Sequence, residues 1–326
     1  MNMEKNEITA VIAVVISSVL FGALGICNRY FHEDCGLSST EIVVIRLTVS
    51  ALVLFIILAL FNRAKLRIRL KDLPFIAFFG IFKFLSDVSL FYAQINVSLC
   101  LATLLQMTSP FFVMILSLFI FRERITSSKM FAMAIGAIGC VLVTNVLFGD
   151  VSANIEGILA AIFSGLCYSM FFIGNKVAID RGIRPVTMLL VATVIADIIA
   201  IPFSDLGRTI EAVSTPTGIG AALAFGVLMT LVPYYLITWS SLYIGPTVVS
   251  MVSTLEVVAA AVVGYVVFSE ALDIPHFIGI VLVILSIVLI NVRIRIGYFR
   301  RMGRYVPLLV RKGMAPDRVR EYHERR

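Results

Sequence analysis

Charge is what this chain has least of. Asp, Glu, Lys and Arg make up 14% of its 326 residues, where soluble domains average about 25%. With 60% hydrophobic residues beside so little charge, a water-soluble globule is excluded, because no packing hides that much apolar surface. Metal-binding side chains are also scarce. The three histidines, His32, His276 and His323, are scattered, and the five cysteines, Cys27, Cys35, Cys100, Cys140 and Cys167, are odd in number and form no C-x-x-C pair. Neither a metal centre nor a disulfide framework is expected. Tryptophan occurs once, at Trp239. The first apolar run, Ile8 to Cys27, lacks a small-x-small cleavage site after it and reads as a retained helix and not a signal peptide.

What is abundant is apolar sequence in pieces of membrane-spanning length. A hydrocarbon core about 30 Å thick needs about 20 apolar helical residues. Ten such runs occur, at about 8–28, 41–61, 73–93, 97–121, 129–148, 155–175, 187–203, 218–240, 246–268 and 275–292. Connections are short, the longest near 204–217, so a soluble domain has no room between them. The expected fold class is all-α, a polytopic membrane protein of ten transmembrane helices.

The formal +7 is a local property. Residues 293–326 carry 11 basic and three acidic side chains, leaving the other 292 residues at minus 1. With the N-terminus inside, 23 of the 27 Lys and Arg residues fall in inner segments and two, Arg29 and Arg208, in outer ones. Basic loops stay on the cytoplasmic side, which predicts a cell-membrane protein with both termini cytoplasmic. The tail, with Tyr298, Phe299, Tyr305 and Leu308 among its arginines, suits a segment held by anionic lipid heads. Its tethering at a bilayer, and the lack of a recognition module, argue against a nucleic-acid partner.

An internal repeat fixes the architecture further. An offset of 147 lays Phe121–Ile125 over Phe268–Leu272 and Asn28-Arg29 over Asn175-Lys176, and an offset of 146 lays Phe79-Gly80 over Phe225-Gly226. Each half holds five spans, at 8–148 and 155–292, and an odd number inserts the second half upside down relative to the first, with 293–326 left as the basic cytoplasmic tail. In this order of features the sequence resembles the EamA-type branch of the drug/metabolite transporter superfamily. The resemblance rests on the 5+5 plan, on Phe21-Gly22 and Asn28 followed by Arg46, and on the stretch Pro110 to Glu123 repeated from Glu256 to Glu270. It departs from the family at Phe21, where Trp is common, and at Val257, where Pro is common. The resemblance implies an alternating-access carrier of small metabolites, with substrate near the midplane between the halves and no bound cofactor.

Ionisable residues inside spans mark functional pathways. Lys83 and Asp87 share a face of the third span and can neutralise each other, hold the amine and carboxylate of a zwitterion, or exchange their internal partner for a charged substrate. Their alternative role is to stitch helices together. Glu256 has no basic residue in its own span. Burial of a lone carboxylate penalises its charged form, which suits it to proton coupling; a protonated structural residue is the alternative. Asp197 faces aliphatic neighbours. Arg46 lies close enough to a span end to snorkel to the interface, with contact to a substrate anion as the second reading. Among uncharged residues, Tyr234 and Trp239 on the span kinked by Pro233, and Gln106 one turn before Pro110, are candidates to line the substrate site, although Trp239 also fits an interfacial belt. Tyr168 and Asn175 are aligned on the sixth span. Ala132-x-x-x-Gly136 and Ala260-x-x-x-Gly264 permit close helix approach, within the chain or at a homodimer face.

The expectation is therefore a secondary transporter of a small metabolite, an amino acid or related compound, with no catalytic or metal-ligating residues. Three rivals remain open at this level. A polytopic enzyme would need a polar cluster or large loop at one interface, which the sequence lacks. An uncoupled facilitator or channel shares the fold, and a membrane sensor would have little docking surface in such short loops.

Overall fold

The computed structural model describes residues 2–66, 68–97, 99–122, 126–143, 154–268 and 274–289. Among them all regular structure is helical. In chain order the helices are α1 (Asn6–Asp34), α2 (Ser39–Phe61), α3 (Leu70–Asn96), α4 (Ala102–Ile120), α5 (Lys129–Leu142), α6 (Ile155–Asp180), α7 (Pro185–Phe203), α8 (Pro216–Ser240), α9 (Pro246–Val267) and α10 (Ile274–Leu289). Eight are long and apolar enough to cross a bilayer; α5 and α10 are shorter apolar helices within the 10–17 residue range. At 1.5 Å per residue their described parts do not reach across a core of about 30 Å. The remainders of the expected fifth and tenth spans, 144–148 and 290–292, lie outside the described residues, as do Glu123, Glu270 and the tail 293–326. The connection expected at 204–217 contains a short helix, Leu206–Val213.

Local chemistry sets where helices start. Ser38 opens α2 with a reciprocal cap: Glu41 N–H donates to Ser38 Oγ, and Ser38 N–H donates to Glu41 Oε2 at 2.6 Å. Proline stands in the first turn of the α-helical segments that open α3, α7, α8 and α9, where its missing N–H costs nothing. Sidedness is inverted relative to a soluble protein. Ile12, Phe55, Phe119 and Val266 are exposed, whereas Arg46, Lys83, Asp87 and Glu256 are buried. That distribution fits a surface solvated by lipid and a polar interior.

Packing repeats between the halves. α6 lies against α3 and α4, and α1 against the corresponding α8 and α9; α3 packs on α7 as α8 packs on α2; α2 meets α7, and α4 meets α9. An offset of 146 relates two breaks. α4 is interrupted at Met107-Thr108, between Leu99–Gln106 and Ser109–Ile120, and α9 at Ser253-Thr254, between Pro246–Val252 and Leu255–Phe268. In α4, Pro110 begins the new segment. In α9 the residue 147 positions on is Val257, and hydroxyls turn back on the helix there as Thr108 Oγ1 does in α4, donating to the Leu105 carbonyl at 2.8 Å. Ser253 Oγ donates to the Val249 carbonyl at 3.0 Å and Thr254 Oγ1 to the Met251 carbonyl at 2.7 Å, so backbone acceptors at the break stay satisfied without water.

A third irregularity lies in α8. Ala224–Leu231 is π-helical and ends immediately before Val232-Pro233. The kink expected at Pro233 is thus taken up one turn earlier, as a bulge. A π-bulge accommodates an inserted residue, and the repeat offset changes by one across it, from 146 at Gly80/Gly226 to 147 at Asp87/Tyr234.

Gly80 and Gly226 are the close-contact points of this arrangement. A β-carbon on Gly226 would stand 2.5 Å from Val49 Cβ and 3.3 Å from the Arg46 carbonyl oxygen, and one on Gly80 would stand 3.0 Å from the Ala192 carbonyl. Gly226→Ala should therefore force α2 and α8 apart and destabilise the protein by about 1–3 kcal/mol, read as a lower melting temperature in detergent. An unchanged melting temperature would show that these helices are not packed this tightly.

Candidate functional site

The buried charges converge between the halves. α2 brings Arg46, α3 brings Lys83 and Asp87, and α8 brings Tyr234. Arg46 Nη2 lies 2.8 Å from Asp87 Oδ1, and Lys83 Nζ lies 3.1 Å from Asp87 Oδ2. The Tyr234 hydroxyl donates to Asp87 Oδ1 at 3.3 Å. Both carboxylate oxygens are thus occupied, by charge-assisted bonds of the strong kind. Arg46, Lys83 and Asp87 are 1%, 2% and 4% exposed, so solvent screens this cluster little. Two cations face one anion.

Aromatic rings shape the space around them. The Arg46 guanidinium is 5.1 Å from the Phe91 ring centroid and 5.9 Å from that of Phe225. The Lys83 ammonium sits 3.7 Å from the centroid of Tyr234, well within cation–π range. Tyr234 is in turn held edge-on by Phe21 at 5.0 Å and Phe171 at 4.9 Å. Rings from α1, α3, α6 and α8 therefore line one charged centre.

Glu256, at the start of the second segment of α9, is buried. Among the described residues its carboxylate has no ion-pair or hydrogen-bond partner. Arg46 Nε on α2 and the Tyr168 hydroxyl on α6 are buried without a hydrogen-bond partner, which is uncommon. Together with the Lys83–Asp87 pair such donors can grip a ligand bearing both an anionic and a cationic group.

The remaining expectations separate. Lys83, Asp87 and Tyr234 come together with Arg46 as one cluster, and among the described residues no hydrogen bond or ion pair ties Glu256 to it. Gln106 does not join it: its Nε2 donates to Ser164 Oγ at 3.0 Å, and Ser164 Oγ donates to the Ser86 carbonyl at 2.9 Å, a buried link binding α3, α4 and α6. Trp239 is half-buried against Tyr243, ring centroids 5.0 Å apart, away from the charges. Arg46, expected to snorkel, is instead fully buried, because Asp87 supplies a counter-charge within reach. Asp197 is not among aliphatic groups alone, since Thr48 Oγ1 contacts both its oxygens at 3.0 and 2.9 Å. Asn175 is buried with an unpartnered Nδ2. Gly136 and Gly139 of α5 abut Ser286, Gly279 and Val283 of α10, which gives the α5 small-residue stripe an internal partner.

One signal for the site was present in the numbering. Asp87 and Tyr234, joined by a hydrogen bond, are separated by the repeat offset of 147. This contact therefore joins the two halves, α3 of the first to α8 of the second.

Known proteins agree with the architecture. Residues 8–145 and 155–292 each match the EamA-like transporter family. An uncharacterized transporter of Bacillus subtilis is 26% identical over 292 residues, covering 89% of this chain and 91% of that protein. An S-adenosylmethionine uptake transporter of Rickettsia felis is 23% identical over 283 residues, covering 86% and 91%. A solved crystal structure superposes with a TM-score of 0.69 at 16% identity, covering 88% of this chain and 97% of that one, a likeness of fold.

Proposed function

Because the chain belongs to the EamA-like transporter family, we propose that it is a secondary carrier that moves a small zwitterionic metabolite by alternating access. Arg46, Lys83, Asp87 and Tyr234 bind the substrate's charged groups, and Glu256 couples its movement to a proton. The observation that carries this reading is the buried, charge-unequal cluster contributed by both halves, beside interrupted helices at corresponding positions. Discontinuous helices of this kind frame the binding sites of inverted-repeat carriers.

Several features support the choice of class. A cluster with two cations and one anion favours a ligand with an anionic group, and the aromatic walls favour one with a cationic or apolar part as well. S-adenosylmethionine, for which the Rickettsia felis relative is named, is a zwitterion with an additional cation and falls in that class; amino acids do too. The family and the relatives' names support carriage as the role. The Lys/Arg asymmetry supports residence in the plasma membrane with both termini cytoplasmic.

The test begins with a thermal-shift screen of the purified full chain against metabolite mixtures. The compound that stabilises it should show saturable counterflow in liposomes, which a channel does not. Tyr234→Phe, which removes a hydrogen bond to a charged group, should weaken its apparent affinity about ten-fold. Flux that rises without saturation, or an affinity indifferent to Tyr234→Phe, would overturn the reading.

A further inference from the structure

The two cations of the cluster are held in different ways. Arg46 is clamped between the Phe91 and Phe225 rings and bonded to Asp87 Oδ1. It alone neutralises the carboxylate. Lys83 is the surplus charge, and it reaches Asp87 Oδ2 from the preceding turn of the same helix on a flexible four-carbon stem. Its ammonium occupies a seat made of one carboxylate oxygen and the face of one aromatic ring. A carboxylate oxygen beneath a tyrosine face, walled by Phe21 and Phe171, is a recognition site for an alkylammonium group.

We propose that Lys83 is a tethered occupant of an ammonium-binding seat, and that the ammonium group of the transported compound displaces it. The inference rests on the carrier reading and specifies how the site takes a cation. The seat is single. The residue corresponding to Lys83 in the second half is Thr230, whose hydroxyl is turned onto its own helix, donating to the Phe225 carbonyl at 2.8 Å. When substrate enters, Lys83 leaves the seat and Asp87 keeps its bond to Arg46.

The test is chemical rescue in the purified full chain, which requires no knowledge of the natural substrate. Lys83→Ala removes the three methylenes and ammonium that n-propylammonium would restore. The variant keeps the neutral Arg46–Asp87 pair and is expected to fold. n-Propylammonium should raise its melting temperature saturably, with an apparent dissociation constant that is roughly millimolar, whereas neutral 1-propanol should not. Wild type, whose seat is filled, and Lys83→Met, whose side chain blocks it without charge, should not respond to n-propylammonium. Equal stabilisation by 1-propanol, an equal response in wild type, or no response in Lys83→Ala each overturns the proposal. So does a Lys83→Ala chain that fails to fold even when purified with n-propylammonium present throughout. Liposome counterflow separates the two readings: rescue without counterflow retains the seat and removes the carrier, and counterflow without rescue does the reverse.

Discussion

Asp87→Asn should be the most damaging single substitution in this protein. The carboxylate contacts Arg46 at 2.8 Å and Lys83 at 3.1 Å, and among the described residues neither cation has another anionic contact. Both are nearly inaccessible to solvent. Breaking a buried pair by removing one partner typically costs about 3–5 kcal/mol, because the surviving charge stays desolvated and uncompensated. Here one change leaves two such charges close together, so the loss should fall at or above the upper end of that range. The expected result is a sharply lower melting temperature or little folded protein, with no substrate-induced stabilisation. The double variant Asp87→Asn/Lys83→Met removes one stranded cation and should recover part of the loss, with a coupling energy of about 0.5–3 kcal/mol. If Asp87→Asn melts like wild type, Arg46 and Lys83 do not converge on this carboxylate and the cluster is wrong.

That convergence was only partly legible in the sequence. Lys83 and Asp87 were readable as a pair because both lie on one helix at a spacing of four, where geometry is local. Tyr234 followed from its depth in the membrane and its need for a hydroxyl partner. Arg46 was misread for a physical reason: on α2 alone an arginine near a span end lowers its energy by snorkelling, and the counter-charge that reverses this preference sits on another helix. Gln106 shows the same limit: the serine its amide donates to, Ser164 on α6, lies 58 residues away and is not marked in the sequence.

The backbone irregularities divide along the same line. The break in α4 was marked by Pro110, a residue that cannot continue a hydrogen-bond ladder. Its counterpart in α9 carries no proline; there the hydroxyls of Ser253 and Thr254 turn back on their own helix, which sequence alone does not distinguish from ordinary packing. The π-bulge in α8 was present as a numerical trace, the change of repeat offset from 146 to 147 between Gly226 and Tyr234. Its meaning depends on seeing that Asp87 and Tyr234 meet.

Glu256→Gln should separate coupling from stability, in the reverse manner to Asp87→Asn. The wild-type carboxylate has no hydrogen bond or ion pair among the described residues to lose, so an isosteric amide should cost far less stability than Asp87→Asn does. Transport should respond very differently. In the proposed cycle Glu256 gives up a proton as substrate enters, its charge met by a cation such as Arg46, whose Nε is unpaired, and a proton gradient drives accumulation. Glutamine fixes the neutral state. In liposomes the variant should retain saturable counterflow while losing gradient-driven accumulation, and the pH dependence of its flux should flatten. Accumulation that persists in Glu256→Gln would show that Glu256 is not the coupling group. Counterflow abolished together with accumulation in a stable variant would instead assign Glu256 to binding the substrate's cationic group, which would have to compete with the Asp87 seat that Lys83 occupies.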